Sequence, residues 1–114
     1  MVFVVNTELK MGVGKIAAQV GHATLALYRL LQTQSNWKEQ CTKWEETTVT
    51  KIAVQGQSTH HLLELKHRAY ELRLPSIIVH DAGRTQVEPG SLTVFAVFGK
   101  VADVNDITGK LKLL

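Results

Sequence analysis

The sequence is poor in cysteine, proline and aromatic residues. Among 114 residues there are one cysteine and two prolines, and aromatic side chains make up 6%. A lone cysteine, Cys41, excludes an intramolecular disulfide and fits a reducing compartment. It lies in a polar stretch between Lys38 and Lys43, with nothing beside it to activate a thiol. No metal site is expected: His60 and His61 are adjacent and His67 is six residues further on, which is not a ligand spacing for one helix face. No repeat, linker or low-complexity segment interrupts the chain. No apolar run approaches the roughly 20 residues needed to span a bilayer, so no membrane partner is expected. Met1-Val2-Phe3-Val4-Val5 is too short for a signal sequence and lacks a basic flank; it reads as a strand. Two nucleotide motifs are missing as well. Gly12-Val13-Gly14-Lys15 is too short for the phosphate loop Gly-x4-Gly-Lys-Ser/Thr, and there is no Gly-x-Gly-x-x-Gly.

What remains is an ordinary globular composition, 45% hydrophobic and 20% charged, of a length that suits one domain over residues 1–114. The net charge of +3 and pI near 9.2 are mildly basic. That is below the charge of a DNA-coating protein and suits a small anionic ligand or a local RNA contact.

Hydropathy patterning predicts the elements. Met1 to Asn6 is a buried strand. Leu9 to Gly14 is a turn, and Lys15 to about Gln34 a helix with Ile16, Val20, Ala23, Leu27 and Leu30 on its apolar face. Asn36 to Glu46 is a polar helix with Trp37 and Trp44 on one side. Thr47 to Gln55, rich in β-branched residues, reads as a strand. Ser58 or Thr59 caps a third helix that runs to about Arg73, with Leu62, Leu65, Ala69 and Leu72 inward. Ile77 to Val79 and Leu92 to Gly99 are strands, Asp103 to Gly109 is a short helix closed by Gly109, and Leu111 to Leu114 docks on the sheet. The order βααβαββα predicts an α/β protein with a mixed four-stranded sheet and helices on both faces. The connection between the last two strands makes either a wide hairpin or a return to another sheet position.

Two places concentrate polar chemistry. The first is the loop from His80 to Ser91, which carries Asp81, Arg84, Thr85, Gln86 and Ser91 with Gly83 and Gly90 between two apolar runs. Loops held by rigid strands are where functional groups gather. The second is the stripe Lys15, Gln19, His22 on the first helix, within about 60° of one another at 100° per residue. Small side chains flank it, and it starts at a helix N-terminus, where N–H groups favour an anion. The strand order brings both places to the carboxyl end of the sheet, where open α/β folds bind ligands. Each has a plainer reading too. Asp81-Ala82-Gly83 can be a turn, Arg84 a salt bridge to Asp81, Lys15 and Gln19 a solvated face, and His22 a half-buried packing residue. Pro89-Gly90 reads as turn chemistry. His80 reads as structural, since alternation sends it and Asp81 in opposite directions.

The two motifs together carry a resemblance. Leu9-Lys10-Met11-Gly12-Val13-Gly14-Lys15-Ile16-Ala17-Ala18-Gln19-Val20-Gly21-His22-Ala23 and Asp81-Ala82-Gly83-Arg84-Thr85-Gln86, with Pro89-Gly90-Ser91 and Thr93-Val94, resemble the signatures of the archaeal/eukaryotic type 2 peptidyl-tRNA hydrolase family. Thr108-Gly109 and Leu111-Lys112-Leu113 are similar to its ending. The resemblance implies hydrolysis of the ester between a peptide and the terminal ribose of tRNA, freeing peptide and reusable tRNA. It implies a homodimer without organic cofactor, in the cytoplasm, or mitochondrial where a natural N-terminal extension is present.

Ester hydrolysis needs an activated water, an oxyanion stabiliser and a proton for the leaving oxygen. The expected catalytic residues are Asp81, which orients or deprotonates water directly or through His22, then His22 itself, Lys15 and Thr85. Lys15, Gln19 or a backbone N–H near Gly83 holds the oxyanion. Arg84 offers a fork for a phosphate of the tRNA 3′ end. Gln86, Ser91 and Thr93, with Thr85, hydrogen-bond ribose or water. The rival readings are a non-catalytic RNA- or protein-binding adaptor, served by the polar face of the third helix, and a different ester or amide hydrolase on the same site.

Overall fold

The strand that begins the chain ends up inside the sheet. β1 (Val2–Asn6) is buried at every position, as a strand of apolar residues covered on both faces must be. In this computed structural model, which describes residues 1–82 and 90–114, there follow a 3₁₀ turn (Thr7–Leu9), α1 (Val13–Leu31), α2 (Ser35–Glu46), β2 (Ile52–Gly56), α3 (Thr59–Glu71), β3 (Ser76–His80), β4 (Leu92–Val97) and α4 (Val101–Thr108). The order is the expected βααβαββα. The sheet runs β2-β1-β4-β3, with β1 parallel to β2 and antiparallel to β4, and β3 antiparallel to β4. The last connection is therefore a hairpin. Its neck is closed by Asp81 N donating to the Ser91 carbonyl (2.8 Å) and Gly90 N to the Asp81 carbonyl (2.9 Å). Gly90 has φ +83, a conformation that suits glycine.

Alternation on the strands builds two cores. Val2, Val4, Phe95 and Val97 pack with Leu62, Leu65 and Ala69 of α3 and Val104 and Ile107 of α4. Phe3, Val5, Val94, Ala96 and Phe98 pack with Ala23, Leu27 and Leu31 of α1 and Cys41 of α2. Trp37 and Trp44 both stand edge-on to Phe98, with ring centroids 6.2 and 5.7 Å away, a favourable aromatic geometry. Cys41 is packing: burial, then Glu45, pushes its thiol up from the ordinary value, and a hydrogen bond from Gln32 only partly offsets this.

Several details correct the sequence reading: β4 stops at Val97, not Gly99, and α4 begins at Val101, not Asp103. α1 begins two residues earlier than expected and ends at Leu31. β2 begins at Ile52, not Thr47. Residues 47–50 are exposed and fold back on Trp44: Thr47 N and Val49 N donate to its carbonyl, and its Nε1 donates to the Thr50 carbonyl. Without burial, β-branched composition did not make a strand. Leu72 is not inward but 43% exposed. It is the C-cap of α3, and Arg73 follows with φ 57. Leu74 turns back instead, donating its N–H to Ala69 O (2.9 Å), the closure that buries the residue after a left-handed cap. The N-cap is Ser58, whose hydroxyl accepts His61 N. The tail docks as expected, on the β2 edge, with Gln55 N donating to Lys112 O and Leu114 N to Ala53 O.

Gly56 pairs with Asn6 across the β1–β2 ladder. A Cβ there would lie 2.4 Å from Leu62 Cδ1 and 2.7 Å from Val4 Cγ1. Gly56→Ala is expected to overpack this face and cost about 1–3 kcal/mol, read as a Tm lowered by roughly 5–15 °C. An unchanged melting curve would show that the sheet yields freely here.

Candidate active site

The carboxyl ends of β1, β2 and β3 lie at one end of the sheet, together with the start of β4 and the N-terminus of α1. Asp81 leaves β3 there. Its neighbour His80 is exposed, whereas Asp81 is 5% exposed, as opposite side-chain directions require. Lys15, the third residue of α1, reaches across to Asp81, and its ammonium forms an ion pair with Oδ1. The side chains are 9% and 2% exposed. Desolvating two charges costs several kcal/mol per ion, so such a pair is a weak device for stability. A cation in the first turn of a helix also opposes the helix dipole. Neither folding stability nor the helix dipole therefore accounts for the pair.

One turn along α1, Gln19 is 4% exposed. Thr93 Oγ1 donates to Gln19 Oε1 (2.6 Å) and lies 3.2 Å from the Val79 carbonyl. With Oε1 committed to Thr93, the Nε2 group of Gln19 is left to donate elsewhere.

Thr93 reaches α1 because β4 is irregular. Val79 pairs with Val94 and His80 with Leu92, so Thr93 is an extra residue against β3. Leu92 and Phe95 face α3 and Val94 faces α1, yet Thr93 also points to α1. Such a bulge re-aims a side chain, and bulges recur beside active sites.

The structure thus brings together Lys15, Gln19, Asp81 and Thr93. Ser91 joins through its carbonyl, which holds the Asp81 N–H. His22 lies on the same stripe, but it is exposed and makes no hydrogen bond or ion pair among the described residues. Gly83, Arg84, Thr85 and Gln86 lie outside the described residues. Sequence reasoning treated Lys15 as an oxyanion donor and did not pair it with Asp81. It also passed over Asn6, a buried amide at the end of β1, whose only signal was a polar residue closing an apolar run.

The family profile described as Peptidyl-tRNA hydrolase PTH2 matches residues 1–114. The chain belongs to the peptidyl-tRNA hydrolase PTH2 family. Its relatives in that family include the "Peptidyl-tRNA hydrolase" of Sulfurisphaera tokodaii, 47% identical over all of this chain and 97% of that protein. The "Probable peptidyl-tRNA hydrolase 2" of Caenorhabditis elegans is also 47% identical, but the chain spans 36% of its length. The "Peptidyl-tRNA hydrolase 2, mitochondrial" of Mus musculus is 41% identical, over 99% of this chain and 62% of its own length. The chain thus corresponds to nearly the whole archaeal protein and to part of the two animal ones. No helix among the described residues is long and apolar enough to cross a membrane.

Proposed function

We infer that this chain is an esterase that cleaves peptidyl-tRNA into free peptide and tRNA, and that the Lys15–Asp81 pair with Gln19 and Thr93 beside it is the centre of that chemistry. The buried ion pair at the carboxyl end of the sheet, in a chain of this family, is the observation that carries the reading.

An ionised carboxylate only accepts hydrogen bonds, so Asp81 acts first on the attacking water, as the base. It draws a proton from the water as the water oxygen bonds to the ester carbon. The tetrahedral oxyanion that forms is met by donors: the ammonium of Lys15 and the Nε2 group of Gln19. The bond to the ribose oxygen then breaks, and that oxygen takes the proton that Asp81 drew from the water; Asp81 returns to its carboxylate, and the products are a peptide acid, which ionises in water, and a tRNA with a free terminal hydroxyl. Loss of one oxyanion donor typically costs about 10²–10³ in turnover. Thr93 fixes the Gln19 amide, whereas Ser91 fixes the backbone of Asp81. His22, exposed and a full two turns from Lys15, belongs to substrate or product contact and not to a relay with Asp81. Thr85 and Gln86 take ribose or water, with Gly83 allowing close backbone approach.

Arg84 is the phosphate contact in this reading. Arg84→Ala is expected to weaken binding of the tRNA 3′ end and to flatten the salt dependence by about 0.7 in log–log slope per lost single-strand phosphate. An unaltered slope in a titration at several salt concentrations removes Arg84 from the phosphate site. A homodimer and a cytoplasmic or mitochondrial setting complete the reading; light scattering that returns twice the 12.7 kDa chain mass would support the first.

The deciding experiment is peptide release from a defined peptidyl-tRNA with a blocked amine, beside aminoacyl-tRNA with a free one. Release from the blocked substrate is expected. Cleavage of neither would favour the adaptor reading, which a match over the whole chain to a hydrolase family does not support.

A further inference from the structure

The β1–β4 ladder pairs Val5 with Val94 and stops there. The next pair would be Asn6 with Thr93, at the bulge. Instead of main chain, the Asn6 side chain spans the gap. Its Nδ2 donates to the Leu92 carbonyl (2.9 Å) and to Thr59 Oγ1 (3.1 Å), and its Oδ1 accepts the Glu8 N–H (3.2 Å). The side chain is fully buried. It therefore ties the start of β4 to the start of α3 and to the 3₁₀ turn. Leu92 is the residue before Thr93, and Thr93 is what holds Gln19.

The carbonyls around a bulge lose their regular partners, and an orphaned buried carbonyl is costly. Asn6 satisfies one of them and thereby fixes which residue of β4 is the extra one. Were the amide absent, the strand start could relax towards a regular register, and a shift of one residue turns a side chain to the opposite face. Thr93 would then leave Gln19.

We propose that Asn6 is a positioning residue for the hydrolase reaction: its amide locks the β4 bulge that aims Thr93 at Gln19. The inference rests on the reading of the site given above. A misplacement of about 1 Å can cost a hundredfold in rate, so Asn6→Ala is expected to lower kcat by about ten- to a hundredfold. Asn6 does not meet the substrate, so KM for peptidyl-tRNA stays within about twofold. The stronger test is a cycle with Thr93→Val, which keeps the branched shape and removes the hydroxyl. If Asn6 acts through Thr93, adding Asn6→Ala to Thr93→Val lowers kcat no further. Thr59→Ala, which removes another partner of the same amide but leaves the Leu92 bond, is expected to keep kcat.

All rates are compared well below each variant's Tm, and Asn6→Ser, too short to reach Leu92, replaces the alanine variant if that does not fold. Wild-type kcat in the Asn6 variant, or losses that multiply in the double variant, would overturn the proposal. A wild-type chain that releases no peptide would instead overturn the function reading, so the two failures are distinct.

Discussion

Asp81→Asn is expected to cut peptide release by about 10²-fold or more, the range lost when a general base is removed, while the protein stays folded. The amide is close to isosteric and still offers Lys15 an acceptor, so the ammonium is not left wholly without a partner. What disappears is the ability to take a proton from water. Single-turnover release from a blocked peptidyl-tRNA, with a thermal melt alongside, separates the two effects. A rate within twofold of wild type in a folded variant would remove Asp81 from the chemistry.

Lys15→Met is expected to show the opposite balance, with a large stability loss as well as a loss of activity. Methionine keeps most of the stem but takes the ammonium away from the Asp81 carboxylate, which is 2% exposed. Removing one partner of a buried pair costs about 3–5 kcal/mol, or a fall in Tm of roughly 15 °C or more. The double variant Lys15→Met with Asp81→Asn is expected to regain more than half of that stability and none of the activity, because the buried charge that the ammonium balanced is gone. Stability losses that simply add in the double variant would mean that the two groups are not coupled.

Much of this was legible in the sequence, because it was written in local periodicity. The apolar faces of α1 and α3, the buried β1, the shared face of Trp37 and Trp44 and the βααβαββα order all follow from repeats of two or 3.6 residues. The resemblance grouped Lys15, Gln19, Asp81 and Thr93, and the strand order predicted that they lie at the carboxyl end of the sheet, where the structure has them. What escaped was long-range and geometrical. A stripe on a helix shows which residues share a face but not what they meet, so the ion pair between residues 66 positions apart was not visible. Leu92-Thr93-Val94-Phe95-Ala96-Val97 reads as one apolar strand, and nothing in it marks Thr93 as the extra residue. Asn6 looked like the end of a strand because its partners, Leu92 and Thr59, are far along the chain. The misreadings at Thr47–Lys51 and at Leu72 have the same root: composition in the first and period in the second were read without knowing where the core stops.

The strand order has a consequence for how the enzyme is made. β4 is the last strand to be synthesised, yet it lies between β1 and β3. Until it is inserted, β3 lacks its ladder to the rest of the sheet, and side-chain packing of β3 against α1 and α3 is what holds Asp81 near Lys15. A nascent chain that has emerged only as far as β3 therefore has both charged groups but lacks Thr93 and the ladder that fixes β3. The final strand joins β1 to β3, brings Thr93 to Gln19 and fills the middle of both cores, to one of which α4, synthesised after it, adds Val104 and Ile107.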